Sequence, residues 1–218
     1  MKQKHKIICI IVLLIVFILS FDFFDKNKHK ALSKRHNVTF VLGKEIKNRL
    51  PDSNILLLAN PFKKHSYSDF DLKGIEGLKD AIGGSSEIEV AYPEIYPQFR
   101  ENPGSATLPM DTKTPLSFMV NPVSIDNLIH EFPNHTVVVS LIGIPFGIQK
   151  TKLWASPKHS IALIEPDMRI IGNESSAIKS FVGGKIILAC VTDGKNILTI
   201  DSNNISNILA NKKYLLGY

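Results

Sequence analysis

The amino-acid sequence predicts one α/β domain, a mainly parallel sheet with helices on its faces, preceded by an N-terminal hydrophobic helix. The sheet is predicted by five short apolar runs without polar alternation, the mark of strands covered on both faces, with helix-like segments alternating between them. The leading helix is predicted by residues 7–21, IICIIVLLIVFILSF, which carry no charge. Of the 218 residues, roughly 180 remain for the domain, enough for a single hydrophobic core. With 44% hydrophobic and 21% charged residues the chain is too apolar for intrinsic disorder.

Residues 1–35 are expected to form a membrane anchor or signal segment with a basic linker, and residues 36–218 a single extracytoplasmic domain. The apolar run, extended to residue 24 if Asp22 sits at the interface, is at the lower edge of a spanning helix. Ser20 is the best small residue for cleavage, and Ile18 two places before it fits the cleavage pattern poorly. An uncleaved signal-anchor with its N-terminus inside is therefore expected, with a cleaved secreted form as the alternative. Lys2, Lys4 and Lys6 precede the run and Lys26, Lys28, Lys30, Lys34 and Arg35 follow it, against Asp22 and Asp25 only. That excess of six equals the net charge of the whole chain, so residues 36–218 are neutral. The basic residues flank an apolar segment instead of forming a stripe on the domain, and no nucleic-acid partner is expected.

Taken in order, residues 38–50 read as a helix with Val38, Val41, Leu42, Ile46 and Leu50 near one face and a stop at Pro51. Residues 54–59, NILLLA, are the first strand. Residues 68–82 read as a helix using Phe70, Leu72, Ile75, Leu78 and Ile82. Residues 87–92 are the second strand, and Ser124 reads as the N-cap of a helix through Glu131. Residues 135–142, 160–164 and 185–191 are three further strands, separated by helix-like stretches at 149–155 and 175–182. Asp193-Gly194 reads as a type I′ hairpin turn into a strand at 196–200, and Ser202 as the cap of a final helix. Residues 93–122 hold six of the twelve prolines without helical or strand periodicity. They are expected to form a long loop, a lid or a wrapped connection over an edge.

Of the two cysteines, Cys9 lies in the apolar run, so Cys190 is expected buried and unpaired within its strand. No phosphate-binding loop, nucleophile elbow, C-x-x-C or H-E-x-x-H motif is present, and no cofactor or metal is expected. The sequons at Asn37, Asn134, Asn173 and Asn204 are of a kind that arises by chance in a chain rich in Asn. Candidate chemistry falls at the strand carboxyl ends, where open parallel sheets place their ligands. The residues there are Asn60, Tyr92, Gly143, Glu165, Asp167 and Asp193, with Thr192 beside the last. Such groups suit a polyol, an amine or a hard cation, and each of these turns is also a plain turn former.

The order helix, ILLLANP, HTVVVSLIGIP, PKHSIALIEPD, GGKIILACV resembles one lobe of the periplasmic-binding-protein type of Rossmann-like α/β fold over about residues 38–200. The resemblance implies extracytoplasmic binding of a small polar ligand near the strand carboxyl ends. The chain is too short for the two closing lobes of that family, and a lone lobe implies that a partner protein is the other candidate occupant. The expected function is thus a membrane-tethered ligand-binding or interaction module. The alternative is a hydrolase using Glu165, Asp167 or Asp193.

Overall fold

A computed structural model describes residues 2–62, 69–83 and 88–218, with side chains from residue 26 onward. Its centre is a six-stranded sheet: β1 Ile55–Leu58, β2 Ile88–Ala91, β3 Val137–Ser140, β4 Ser160–Ile164, β5 Ile186–Asp193 and β6 Asn196–Ile200. The strand order is β2-β1-β3-β4-β5-β6, parallel from β2 to β5 with β6 antiparallel at the edge. The five predicted strands are therefore all present in one predominantly parallel sheet.

The helices are α1 Lys2–Arg49, α2 Asp69–Ile82, α3 Pro97–Glu101, α4 Pro122–Glu131, α5 Lys152–Ala155, α6 Glu174–Val182 and α7 Ile205–Lys212. Because side chains alternate across a strand, each strand feeds two cores. Ile55, Leu57, Val137, Val139, Ala162, Leu188 and Cys190 pack under α1 and α2. Leu56, Leu58, Val138, Ile161, Leu163 and Ala189 pack under α4 to α7, with Phe181 of α6 and Leu209 of α7 among their partners. Cys190 is fully buried and free, as expected, and burial pushes its thiol up to about 12.

Helix α1 departs most from expectation. The helix predicted from residue 38 is the end of one 48-residue helix that runs through residues 26–37 without a break. Arg35, assigned to the basic linker, is a buried residue whose Nη2 donates to the Leu141 carbonyl at 2.7 Å. Among the described residues no helix is long and apolar enough to cross a membrane. The apolar run at 7–21 lies outside the residues whose side chains are described.

α2 lies where predicted and buries the predicted Ile75, Leu78 and Ile82; the departure is in its first turn. Phe70 and Leu72 are exposed, whereas Asp71, Gly74, Ile75, Gly77, Leu78 and Ile82 are buried. The glycines let α2 approach α1 closely. A Cβ at Gly77 would stand 2.3 Å from the His36 carbonyl oxygen and from Thr39 Oγ1, and one at Gly43 would stand 2.8 Å from Ala81 Cβ. Thr39 Oγ1 meanwhile donates to the Arg35 and His36 carbonyls inside α1.

Three local expectations are corrected. Helix α4 is capped by Asn121, which accepts from Val123 N, with Pro122 in the first turn; Ser124 Oγ instead accepts from Glu94 N. The β5–β6 turn is formed by Gly194-Lys195, since Asp193 still pairs with Asn196. Only Gly194 has positive φ, so Asp193-Gly194 is not the type I′ centre. The final helix starts after Asn204 and not at Ser202. Residues 93–122 are not structureless: α3 and two short 3₁₀ turns, Pro103–Ser105 and Pro115–Phe118, occupy them, and Ile95 pairs with Val120 in an isolated bridge.

Lys185 ties the loop before β4 to β5, its Nζ donating to the carbonyls of Leu153, Ser156 and His159 at 3.0, 2.6 and 2.7 Å. The buried His159 in that loop pairs Nδ1 with Ser156 Oγ at 3.0 Å and leaves Nε2 without a partner. Burial first, then Lys158 and Lys185, hold its pKa below the ordinary 6.5. The unfolded chain consequently takes up this proton before the folded one, so acidification below pH 6.5 favours unfolding. Thermal melts are expected to show stability falling from pH 6.5 downward, and His159→Gln to flatten that slope. An unchanged slope in the variant would remove His159 as its cause.

Candidate functional site

With β2 on one side of β1 and β3 on the other, the strand order reverses between β1 and β3, and a crevice opens at the carboxyl ends there. A cavity of about 640 Å³ occupies that position, within the range of small-ligand sites. The carboxyl ends of four strands line its floor: Asn60 follows β1, Leu141 and Ile142 follow β3, Ile164 and Glu165 close β4, and Thr192 belongs to β5. α1 provides one wall through Ala31, Lys34, Arg35 and Val38, a helical i, i+3, i+4, i+7 face. Phe70 and Asp71 at the start of α2, and 113–116 from the proline-rich connection, complete the lining.

The polar groups are held by specific contacts. Glu165, just past the end of β4, adopts a positive φ of 47°, the only described non-glycine residue to do so. Its Oε1 accepts from Thr192 N at 2.9 Å and from Thr192 Oγ1, and its Oε2 accepts from Lys113 Nζ at 3.0 Å. Asp111 and Arg169 make a second tie, with Arg169 Nη1 and Nη2 donating to Asp111 at 3.2 and 3.0 Å. The 111–113 segment is thereby fastened to the loop after β4, and Thr114 beside it is buried against Gly143.

Arg35 is the central cation. Its Cζ lies 4.8 Å from the Phe70 ring centre, and its Nε is buried without a hydrogen-bond partner. Burial lowers its pKa, while the charges of Asp71 and then Glu165 raise it; a guanidinium stays protonated in that balance.

Of the residues singled out from the sequence, Asn60 and Glu165 line this cavity, as does Thr192. Asn60 Oδ1 accepts from Phe62 N, closing the turn after β1. Gly143 lies behind the lining, its φ of +83° and missing Cβ giving room to Thr114, which a Cβ would meet at 2.7 Å. Tyr92 is half-buried against the core under α1 and α2. Asp167 and Asp193 do not line the cavity and are held by other cations, Asp167 by Arg169 and Asp193 by Lys212. Arg35, Asp71 and Lys113 were not anticipated. The available signal for Arg35 was the absence of any proline or glycine from residue 1 to 42, which lets α1 continue as one helix.

Among the described residues no group of three or more His, Cys, Asp and Glu side chains is placed to hold a metal ion. No family model and no curated protein sequence matches the chain. Solved structures do match in fold. The fructose-binding periplasmic domain of a hybrid two-component system superposes with a TM-score of 0.53 at 10% identity, over 83% of this chain and 61% of that one. The sugar-binding protein of a sugar ABC transporter from Bacillus halodurans superposes with a TM-score of 0.50 at 8% identity, over 79% of this chain and 64% of that one. The chain thus has the fold of a periplasmic-binding-protein lobe and spans less than two thirds of the length of either structure.

Proposed function

We propose that the chain is a membrane-tethered extracytoplasmic ligand-binding module, with its ligand in the cavity at the carboxyl ends of β1, β3, β4 and β5. The observation that carries this reading is the cavity itself: it stands at the strand-order reversal and has a mainly apolar wall with a few convergent polar groups. The fold likeness to proteins named as sugar-binding supports binding as the class of function. Tethering rests on the uncharged run at 7–21, which belongs to the same helix as the cavity wall. The hydrolase alternative gains no support, because Glu165, Asp167 and Asp193 do not converge on one cavity.

Ala31 lines the cavity from the exposed side of α1, so a large side chain there fills the space without entering the core. A metabolite screen read by thermal shift is expected to find ligands that raise the melting temperature of the chain. Ala31→Trp is expected to abolish that rise, and the chain to remain with membranes in high salt. A ligand that stabilises the variant equally would place binding elsewhere, and release by salt would end the tethering reading.

A further inference from the structure

Among the described residues, the charges that line the cavity do not cancel. Lys113 and Glu165 neutralise each other across the rim, and Thr192 is spent on the same carboxylate. Among the described lining residues, the buried Arg35 and the exposed Lys34 then stand with one further carboxylate, Asp71. Arg35 gives one hydrogen bond, from Nη2 to the Leu141 carbonyl; its Nε is enclosed beside Gly74 between α1 and α2, and among the described residues no carboxylate is bonded to the guanidinium. A guanidinium carries five N–H donors, and on a buried one that lines a cavity with a single hydrogen bond made, an anionic acceptor satisfies the donors of the Nη atoms best. The lining also holds apolar Val38, Phe70, Leu116, Leu141 and Ile142, of which Phe70 and Leu141 contact Arg35 directly.

Building on the ligand-binding reading, we infer that the cavity takes a small monocarboxylate with an apolar body, its carboxylate on Arg35 and its hydrocarbon part against Leu116, Leu141 and Ile142. A sugar fits these walls poorly. It carries a hydroxyl on nearly every carbon, and each one turned to Leu141, Ile142 or Val38 would be desolvated without a partner. The closed Lys113–Glu165 pair also removes two groups that a polyol would need. An apolar acid leaves one charge to be met and gains by burying the rest.

The test uses the 218-residue chain in lipid nanodiscs and calorimetric titration with aliphatic and phenyl-substituted monocarboxylates of graded length. Each acid is paired with its primary amide, and D-fructose is included. At least one acid is expected to bind about tenfold or more tightly than its amide, with fructose not binding. Arg35→Met is expected to erase that preference and Arg35→Lys to keep part of it. Should Arg35→Met fail to fold, the acid–amide comparison on the unsubstituted chain decides. Amides matching their acids, or fructose binding in a manner blocked by Ala31→Trp, would overturn the monocarboxylate assignment and leave the binding reading standing. No binding by any acid, with another ligand found by the thermal screen, would do the same. No ligand in either experiment would overturn both.

Discussion

Replacing Gly77 with valine is expected to lower the melting temperature by about 6–12 °C, a loss of roughly 3 kcal/mol in a domain of this size. The physical cause is the distance between α1 and α2. The first atom of any side chain at position 77 would lie 2.3 Å from a backbone carbonyl oxygen and from the hydroxyl of Thr39. The carbonyl cannot rotate away without breaking α1, so the helices must separate, and separation uncovers Leu42, Ile46 and Leu78 in the core beneath them. Gly77→Ala meets the same contact and regains about 1 kcal/mol of helix propensity, so it should be milder. Gly104→Val is the control, since a Cβ there meets only Asn102 Oδ1 at 3.5 Å. Thermal or urea melts with Gly77→Val as stable as the parent chain would mean that the two helices do not lie this close.

The same glycines explain what the sequence did not disclose. Strands such as ILLL are fully buried, so their continuous apolar character was legible without alternation. Helix α2 was legible as a helix and so was its buried stripe Ile75, Leu78 and Ile82, but not its first turn, because periodicity weighs large apolar side chains and so also counted the exposed Phe70 and Leu72. The packed face also holds Gly74 and Gly77, where close backbone approach replaces side-chain volume. The proline-rich connection was opaque for a related reason. Its order comes from short 3₁₀ turns and from ion pairs to residues far along the chain, Asp111 to Arg169 and Lys113 to Glu165, and neither leaves a periodic trace. The position of the candidate cavity at the strand carboxyl ends was legible from topology, and Asn60 and Glu165, expected at those ends, line it. Arg35 was hidden because a run of lysines on an exposed helix and a buried arginine two turns later read alike as basic linker.

Asp167 provides the sharper contrast between a turn carboxylate and a ligand-binding one. Its side chain is almost fully buried, and Oδ1 and Oδ2 accept from Arg169 Nε at 2.9 Å and Nη2 at 2.7 Å. Oδ1 also accepts from Arg169 N at 3.2 Å, capping the 3₁₀ turn Met168–Ile171. The C-terminal chain closes over it: a Cβ at Gly217 would stand 2.5 Å from Asp167 Oδ1, and Tyr218 donates its hydroxyl proton to the carbonyls of Met168 and Gly172. Asp167→Ala removes every acceptor at once but leaves Arg169 paired with Asp111 and about one-third exposed. The expected loss is therefore about 2–3 kcal/mol, below the upper range for a broken buried pair, or about 4–12 °C in melting temperature. Ligand affinity should stay within about twofold of the parent, since the carboxylate faces Arg169 and not the cavity. Glu165→Gln is the companion variant: it weakens the tie to Lys113 at the cavity rim and should change affinity more than stability. Reversal of the two patterns, with Asp167→Ala binding poorly at full stability, would return Asp167 to the ligand site.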